Sequence, residues 1–256
     1  MNKYVFLIEY DGTEYFGWQK QATGTLTVQS ELERAIEKVF EYPMKTIASG
    51  RTDRGVHAAH QVVQATAERK TVVLPETLMK MLNTELRRDV RVKLIKKVNQ
   101  SFHARYWARK RAYTYNLITD WDVFRQRFAS YIPYQLDFDL MIKASEIFLG
   151  EHDFTTFSKL NKETQNHICE VELCQWKKIS DTHFAFHIKA NRFVYSMVRS
   201  IVGAMIDIGR GKRTIEQTVE AFESKDRSRN SPIAPPYGLS LVGVWYPEDY
   251  EFLNPK

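Results

Sequence analysis

The sequence predicts an α+β protein made of two ferredoxin-like halves, each ordered β-α-β-β-α-β with an antiparallel sheet. Three observations predict it. Strand-like and helix-like stretches alternate in that order through the first hundred residues. The order starts again near residue 111. The chain has 256 residues, 43% of them hydrophobic, enough for two cores of about 100 to 150 residues each.

The elements follow in sequence. YVFLIEY (4–10) is a strand closed by the turn Asp11-Gly12. Val28, Leu32, Ala35, Ile36, Val39 and Phe40 make a helical stripe, with Thr27 as its N-cap. Residues 45–49 and 60–66 are strands, 77–88 a helix and 90–98 a strand with basic alternation. In the second half, RAYTYNLI (111–118) is a strand and 139–149 a helix. Residues 169–179 and 182–190 pair as a hairpin, and FVYSMVRSIVGAMIDIG (193–209) is a strongly apolar helix. Residues 214–225 form an extra amphipathic helix, and LSLVGVWY (239–246) is the closing strand. The expected division is 1–104 and 105–256; DRSRNSPIAPPYG (226–238) is the most linker-like stretch but lies inside the second half.

Composition narrows the function classes. The net charge of +6 and an aromatic content of 13% are compatible with a nucleic-acid partner. No apolar run reaches the roughly 18 residues of a membrane span, so no membrane partner is expected. MNKYVFLIEYDG has no small-residue cleavage site and reads as a first strand rather than a signal peptide. Two cysteines are too few for a disulfide scaffold, and a cytoplasmic location is expected. Cys169 and Cys174 are an odd number of residues apart on a strand, which would aim them at opposite faces, so no metal site is expected. There is no phosphate-loop, dinucleotide or G-x-S-x-G motif, and no cofactor is expected.

SGRTDRGVHA (49–58) carries the clearest chemical signal. Asp53 stands two residues from Arg51 and beside Arg54, between Gly50 and Gly55, with Thr52 and His57 close by. Guanidinium neighbours favour the charged carboxylate, which suits a nucleophile or an ionised base rather than an acid. A salt-bridged turn cap is the alternative reading. FHARYWARKRAYTY (102–115) interleaves Arg105, Arg109, Lys110 and Arg111 with Tyr106, Trp107, Tyr113 and Tyr115. Cations neutralise phosphates and rings stack on unpaired bases, although a strand with one aromatic and one basic face would read the same way. Arg199 sits within an apolar helix and calls for a carboxylate partner, either Asp53 or a structural one.

These segments resemble the tRNA pseudouridine synthase A family along nearly the whole chain. The matching stretches are YDGTEYFGWQ (10–19), TVQSELERAI (27–36), SGRTDRGVHA (49–58), SFHAR (101–105), RAYTY (111–115), GEHDFTTF (150–157), NRFVYSMVRSIVG (191–203) and APPYGLSL (234–241). The resemblance implies the pseudouridine synthase fold and an isomerase that turns uridine into pseudouridine in the tRNA anticodon stem-loop, at tRNA positions 38 to 40. It implies a homodimer and no metal or organic cofactor. It places the nucleophile on Asp53, the base-stacking tyrosine on Tyr113 and the active-site arginine on Arg199, with Arg51, Arg54, His57 and Arg105 expected to bind substrate. An ionised carboxylate could attack the sugar, attack the base or take a sugar proton, once the uridine is flipped out. Two positions depart from the family pattern: Arg54 replaces a small residue, and Asn166 stands where an arginine is frequent. The alternative function is a catalytically silent RNA-binding module, or a paralogue acting on other RNA uridines.

Overall fold

The computed structural model describes residues 2–67, 73–159 and 164–255. Its strands are β1 (Asn2–Tyr10), β2 (Thr46–Ala48), β3 (His57–Ala67), β4 (Val90–Val98), β5 (Lys110–Ile118), β6 (Ser130–Tyr131), β7 (Gly150–Asp153), β8 (Ile168–Lys178), β9 (His183–Ala190) and β10 (Leu239–Trp245). Its α-helices are α1 (Val28–Phe40), α2 (Pro75–Glu85), α3 (Phe138–Ser145), α4 (Met197–Gly209) and α5 (Ile215–Ser224). The chain forms two compact units, residues 1–109 with 240–256, and residues 110–239. The division therefore falls at 109/110 rather than the expected 104/105, and residues 240–256 group with the first unit rather than the second.

The first unit runs β-α-β-β-α-β. Its sheet order is β4-β1-β3-β2, with all three pairings antiparallel. Tyr4, Val5, Phe6 and Ile8 of β1 are fully buried, so the central strand is covered on both faces. α1 begins where predicted: the Thr27 hydroxyl accepts from Ser30 N–H, and Ser30 accepts from Thr27 N–H, a reciprocal cap. Glu41 ends the helix in the left-handed conformation at φ 62°. Residues Ser240 and Leu241 of β10 add to β3 in parallel, opposite His57 and Ala58. The same returning segment supplies Tyr246 and Tyr250, whose rings pack on Phe102 at centroid distances of 5.5 and 4.8 Å.

In the second unit the order is β5-β9-β8-β7, again antiparallel, with β6 alongside β5 in parallel. The β8–β9 hairpin forms as expected. One expectation within it fails. Cys169 and Cys174 are both buried, together with Val171 and Trp176, because the register of β8 shifts between Val171 and Leu173. An extra residue in the strand reverses the alternation, so both thiols face the core. Burial pushes the pKa of each upward, that of Cys169 to about 11. A second correction concerns α4. It starts at Met197, not 193, and follows Ser196 in the left-handed region at φ 59°. Phe193 is drawn out of the helix to meet Tyr113 edge to face, 5.0 Å between centroids. Gly203 lets α4 approach the 230s loop: a Cβ there would lie 2.0 Å from the Pro232 carbonyl oxygen.

Candidate active site

Asp53 lies on the loop that joins β2 to β3, and a second segment holds that loop from behind. The clamp is residues 10–18. Trp18 N–H donates to the Thr52 carbonyl at 3.0 Å, and Gly55 N–H donates to the Tyr15 carbonyl at 3.3 Å. The Tyr10 hydroxyl meets the buried Thr52 hydroxyl at 2.8 Å. Val56 N–H donates to the Asp53 carbonyl at 3.1 Å, which closes the turn, with Gly55 at φ 76°. Two glycines make the contact possible. A Cβ on Gly12 would lie 2.0 Å from the Val56 carbonyl oxygen. One on Gly17, at φ 88°, would lie 2.8 Å from the Thr52 carbonyl oxygen and 3.2 Å from Arg54 N. The other arm of the loop is held by the fully buried Gln61, which donates to the Gly50 carbonyl at 2.9 Å and accepts from the Ser49 hydroxyl at 2.6 Å. The result is a half-buried Asp53 on a fixed backbone, with Arg51 and Arg54 exposed on either side.

His57 does not sit where a substrate contact was expected. It is 2% exposed, at the start of β3, and braces the clamp. Its Nδ1 lies 3.0 Å from Gly12 N and 3.2 Å from Asp11 Oδ1. Burial works to raise the Asp11 pKa, but the neighbouring imidazole and the Thr13 N–H and hydroxyl outweigh it. They hold the carboxyl well below the usual range. The Thr13 groups donate at 3.0 and 2.5 Å. Arg105 is exposed on a turn anchored elsewhere in the same unit: Ala104 N–H donates to Gln64, and the Tyr246 hydroxyl donates to the Ala104 carbonyl at 2.6 Å.

The second unit places its candidates on regular elements. Tyr113 is on β5, paired with Ile188 of β9, and is 8% exposed. Arg199 is in the first turn of α4, half-buried. Its Nε donates to the Ala234 carbonyl at 2.9 Å, while Ala234 N–H donates to the Arg199 carbonyl at 3.0 Å. The loop that receives Arg199 continues to Gly238. There a Cβ would lie 2.3 Å from the Asn116 carbonyl oxygen and 3.1 Å from the Tyr115 ring. The segments 111–115, 191–203 and 234–238 thus meet within one unit. Tyr115 is fully buried; burial pushes its hydroxyl pKa up and the Arg199 charge opposes this in part. Asn166 accepts from Arg192 Nη1 at 3.1 Å. Tyr106, in the basic-aromatic stretch, is 77% exposed, whereas Tyr113 and Tyr115 are buried; the stretch is a turn followed by a strand, not one strand with one aromatic face.

Sequence reasoning gave no role to Phe16 or Gly17, and took Gly12 only as a turn residue. The signal was present in YDGTEYFGWQ, where two glycines five residues apart interrupt an aromatic run.

Among the described residues there is no group of three or more His, Cys, Asp or Glu side chains that could hold a metal ion, and no helix long and apolar enough to cross a membrane. The chain is thus an α+β protein of two units, with a half-buried acid presented on a clamped loop of the first. The sequence pattern described as tRNA pseudouridine synthase matches residues 7–107 and 144–247. A protein of Shewanella sediminis named tRNA pseudouridine synthase A is 39% identical over 248 residues, covering 95% of this chain and 93% of that one. A protein of the same name from Caldicellulosiruptor bescii is 38% identical over 248 residues, covering 96% and 100%. One from an Exiguobacterium species is 36% identical over 247 residues, covering 96% and 98%. The chain belongs to the tRNA pseudouridine synthase family. Among solved structures, an H/ACA ribonucleoprotein bound to a substrate RNA containing 2′-deoxyuridine is similar at a TM-score of 0.35 and 12% identity, over 70% of this chain and 39% of that one, too slight a likeness to carry an argument.

Proposed function

We propose that this protein isomerises uridine to pseudouridine in tRNA, in the anticodon stem-loop at positions 38 to 40, and that it acts as a homodimer in the cytoplasm. The observation that carries this reading is Asp53: an acid between two exposed guanidinium groups, on a loop whose backbone is fixed from two sides. Isomerisation requires the N-glycosidic bond to break, the uracil to turn, and a carbon–carbon bond to form. The target must therefore leave the base stack. In this reading Asp53 supplies the carboxylate that acts on the flipped nucleotide, Tyr113 the ring that stacks on uracil, and Arg199 the active-site arginine. Arg51, Arg54 and Arg105 supply positive charge for the backbone. His57 is a positioning residue that acts through Gly12 and the clamp.

The test is to incubate the protein with unmodified tRNA transcripts and map pseudouridine by carbodiimide adduct and primer extension. The expected result is stops at 38, 39 or 40. Stops only elsewhere would reassign the target to other uridines. Tight tRNA binding with no stops would make the chain a silent RNA-binding module.

A further inference from the structure

Arg54 follows Asp53 directly, and its guanidinium carbon lies 4.1 Å from the centroid of the Phe16 ring. Both side chains are exposed, Phe16 at 43%. Among the described residues Arg54 makes no hydrogen bond or ion pair, and its contact is that ring. Arg34, by contrast, is tied to Glu31 by two hydrogen bonds of 3.0 and 2.9 Å. Phe16 is itself held. Tyr15 before it is fully buried with its hydroxyl donating to Asp89, Gly17 after it lies under the loop, and its own N–H donates to the Leu26 carbonyl at 3.0 Å.

We propose that Phe16 and Arg54 form a preassembled phosphate reader beside Asp53, which grips the RNA backbone next to the target uridine. The proposal rests on the RNA-modifying function above. A guanidinium lying on an aromatic ring keeps its N–H donors directed outward in its own plane, where they fit a phosphate in bidentate fashion. The ring also restricts a long, rotamer-rich side chain before the ligand arrives, which lowers the ordering cost of binding. Any nucleotide presented to Asp53 brings its own flanking phosphates within a residue's reach of Arg54. A phosphodiester needs no base identity, so the pair fixes which step of the backbone is gripped. Phe16 is here a positioning residue that acts through Arg54.

Affinity for an unmodified tRNA transcript, measured over a salt series in an Asp53→Asn background so that nothing turns over, tests the proposal. Arg54→Gln is expected to weaken binding about ten- to a hundredfold. It should also lower the slope of log affinity against log salt by about one. Phe16→Leu should reproduce part of that loss when Arg54 is present and add nothing when it is absent. Unchanged affinity and slope in Arg54→Gln would overturn the proposal and leave a solvated arginine. Weaker binding with an unchanged slope would also overturn it, in favour of a base stacked on the guanidinium. An equal effect of Phe16→Leu with and without Arg54 would show that the ring acts alone, which overturns the coupled pair. Wild-type turnover on the same transcript separates the two readings. Pseudouridine formation alongside an unchanged Arg54→Gln slope overturns the reader alone. Binding without pseudouridine overturns the function, while the slope still reports on the phosphate contact.

Discussion

The two units hold their candidate site residues in different ways. In the first, Asp53 sits on a loop with no regular structure of its own, and its position is imposed by residues 10–18 and by Gln61. In the second, Tyr113 rides on a strand paired along its length with β9, and Arg199 on a helix whose first turn is tied to Ala234. A residue on a loop is only as well placed as the segment that braces it. A residue on a paired strand is placed by many backbone bonds, no one of which is decisive. The first arrangement concentrates sensitivity in a few bracing residues far from the acid in sequence, and the second spreads it.

The largest expected effect belongs to Asp53 itself. Asp53→Asn keeps the shape of the side chain and removes the anion. Turnover on tRNA should fall by several orders of magnitude while binding changes little. Substantial turnover by a variant shown by mass spectrometry not to have deamidated would take the chemistry away from this residue.

The bracing glycines sharpen the contrast. Gly17→Ala forces a Cβ onto φ 88° and against Thr52 and Arg54. It should cost about 1 to 3 kcal/mol of stability and, by displacing the loop, lower turnover on the order of a hundredfold. Gly203→Ala, which meets the Pro232 carbonyl oxygen at 2.0 Å, should lower the melting temperature comparably. If Gly17→Ala melts early but turns over normally, the clamp is a folding device and not a positioning one.

For the strand-borne residue the expected loss is smaller. Tyr113→Ala should weaken binding of the flipped nucleotide by roughly 1 to 3 kcal/mol, and Tyr113→Phe should recover most of it if the ring face is what matters. Equal behaviour of the Ala variant and the wild type in single-turnover assays would remove the stacking role.

The smallest effect is in acid. Asp11 has its pKa held down in the folded protein, so its contribution to stability is present above the ordinary carboxylate pKa of about 4 and is lost as pH falls. The difference in melting temperature between wild type and Asp11→Asn should therefore be greatest near neutrality and shrink below about pH 4. A difference that stays constant down to pH 3 would mean that Asp11 contributes by shape alone.

Much of the fold was legible in the sequence, because long periodic segments state their own structure. The helical stripe from Val28 to Phe40 and the Thr27 cap are examples, as is the basic alternation of β4. What was not legible depended on partners. The apolar run across 193–209 continues past the true start of α4, so periodicity cannot locate Ser196, where a contact between Phe193 and Tyr113 draws the chain away. The face of Cys174 depends on a bulge that no local pattern marks. β6 and β7, at two and four residues, are too short to show a period. The site divides in the same way. Asp53 between two arginines can be read directly, but the burial of His57 and the stacking of Arg54 on Phe16 depend on a segment forty residues away.

The return of residues 240–256 to the first unit has a consequence for biosynthesis. Edge residues of β3 at His57 and Ala58 wait for Ser240 and Leu241, and Phe102 waits for Tyr246 and Tyr250. As the nascent chain leaves the ribosome from the N-terminus, the unit bearing Asp53 stays open along one margin until residues 110–239 have been made. During that interval the unfinished edge at the mouth of the Asp53 loop is a template for wrong strand pairing, and a message cut short after residue 239 would leave it so permanently.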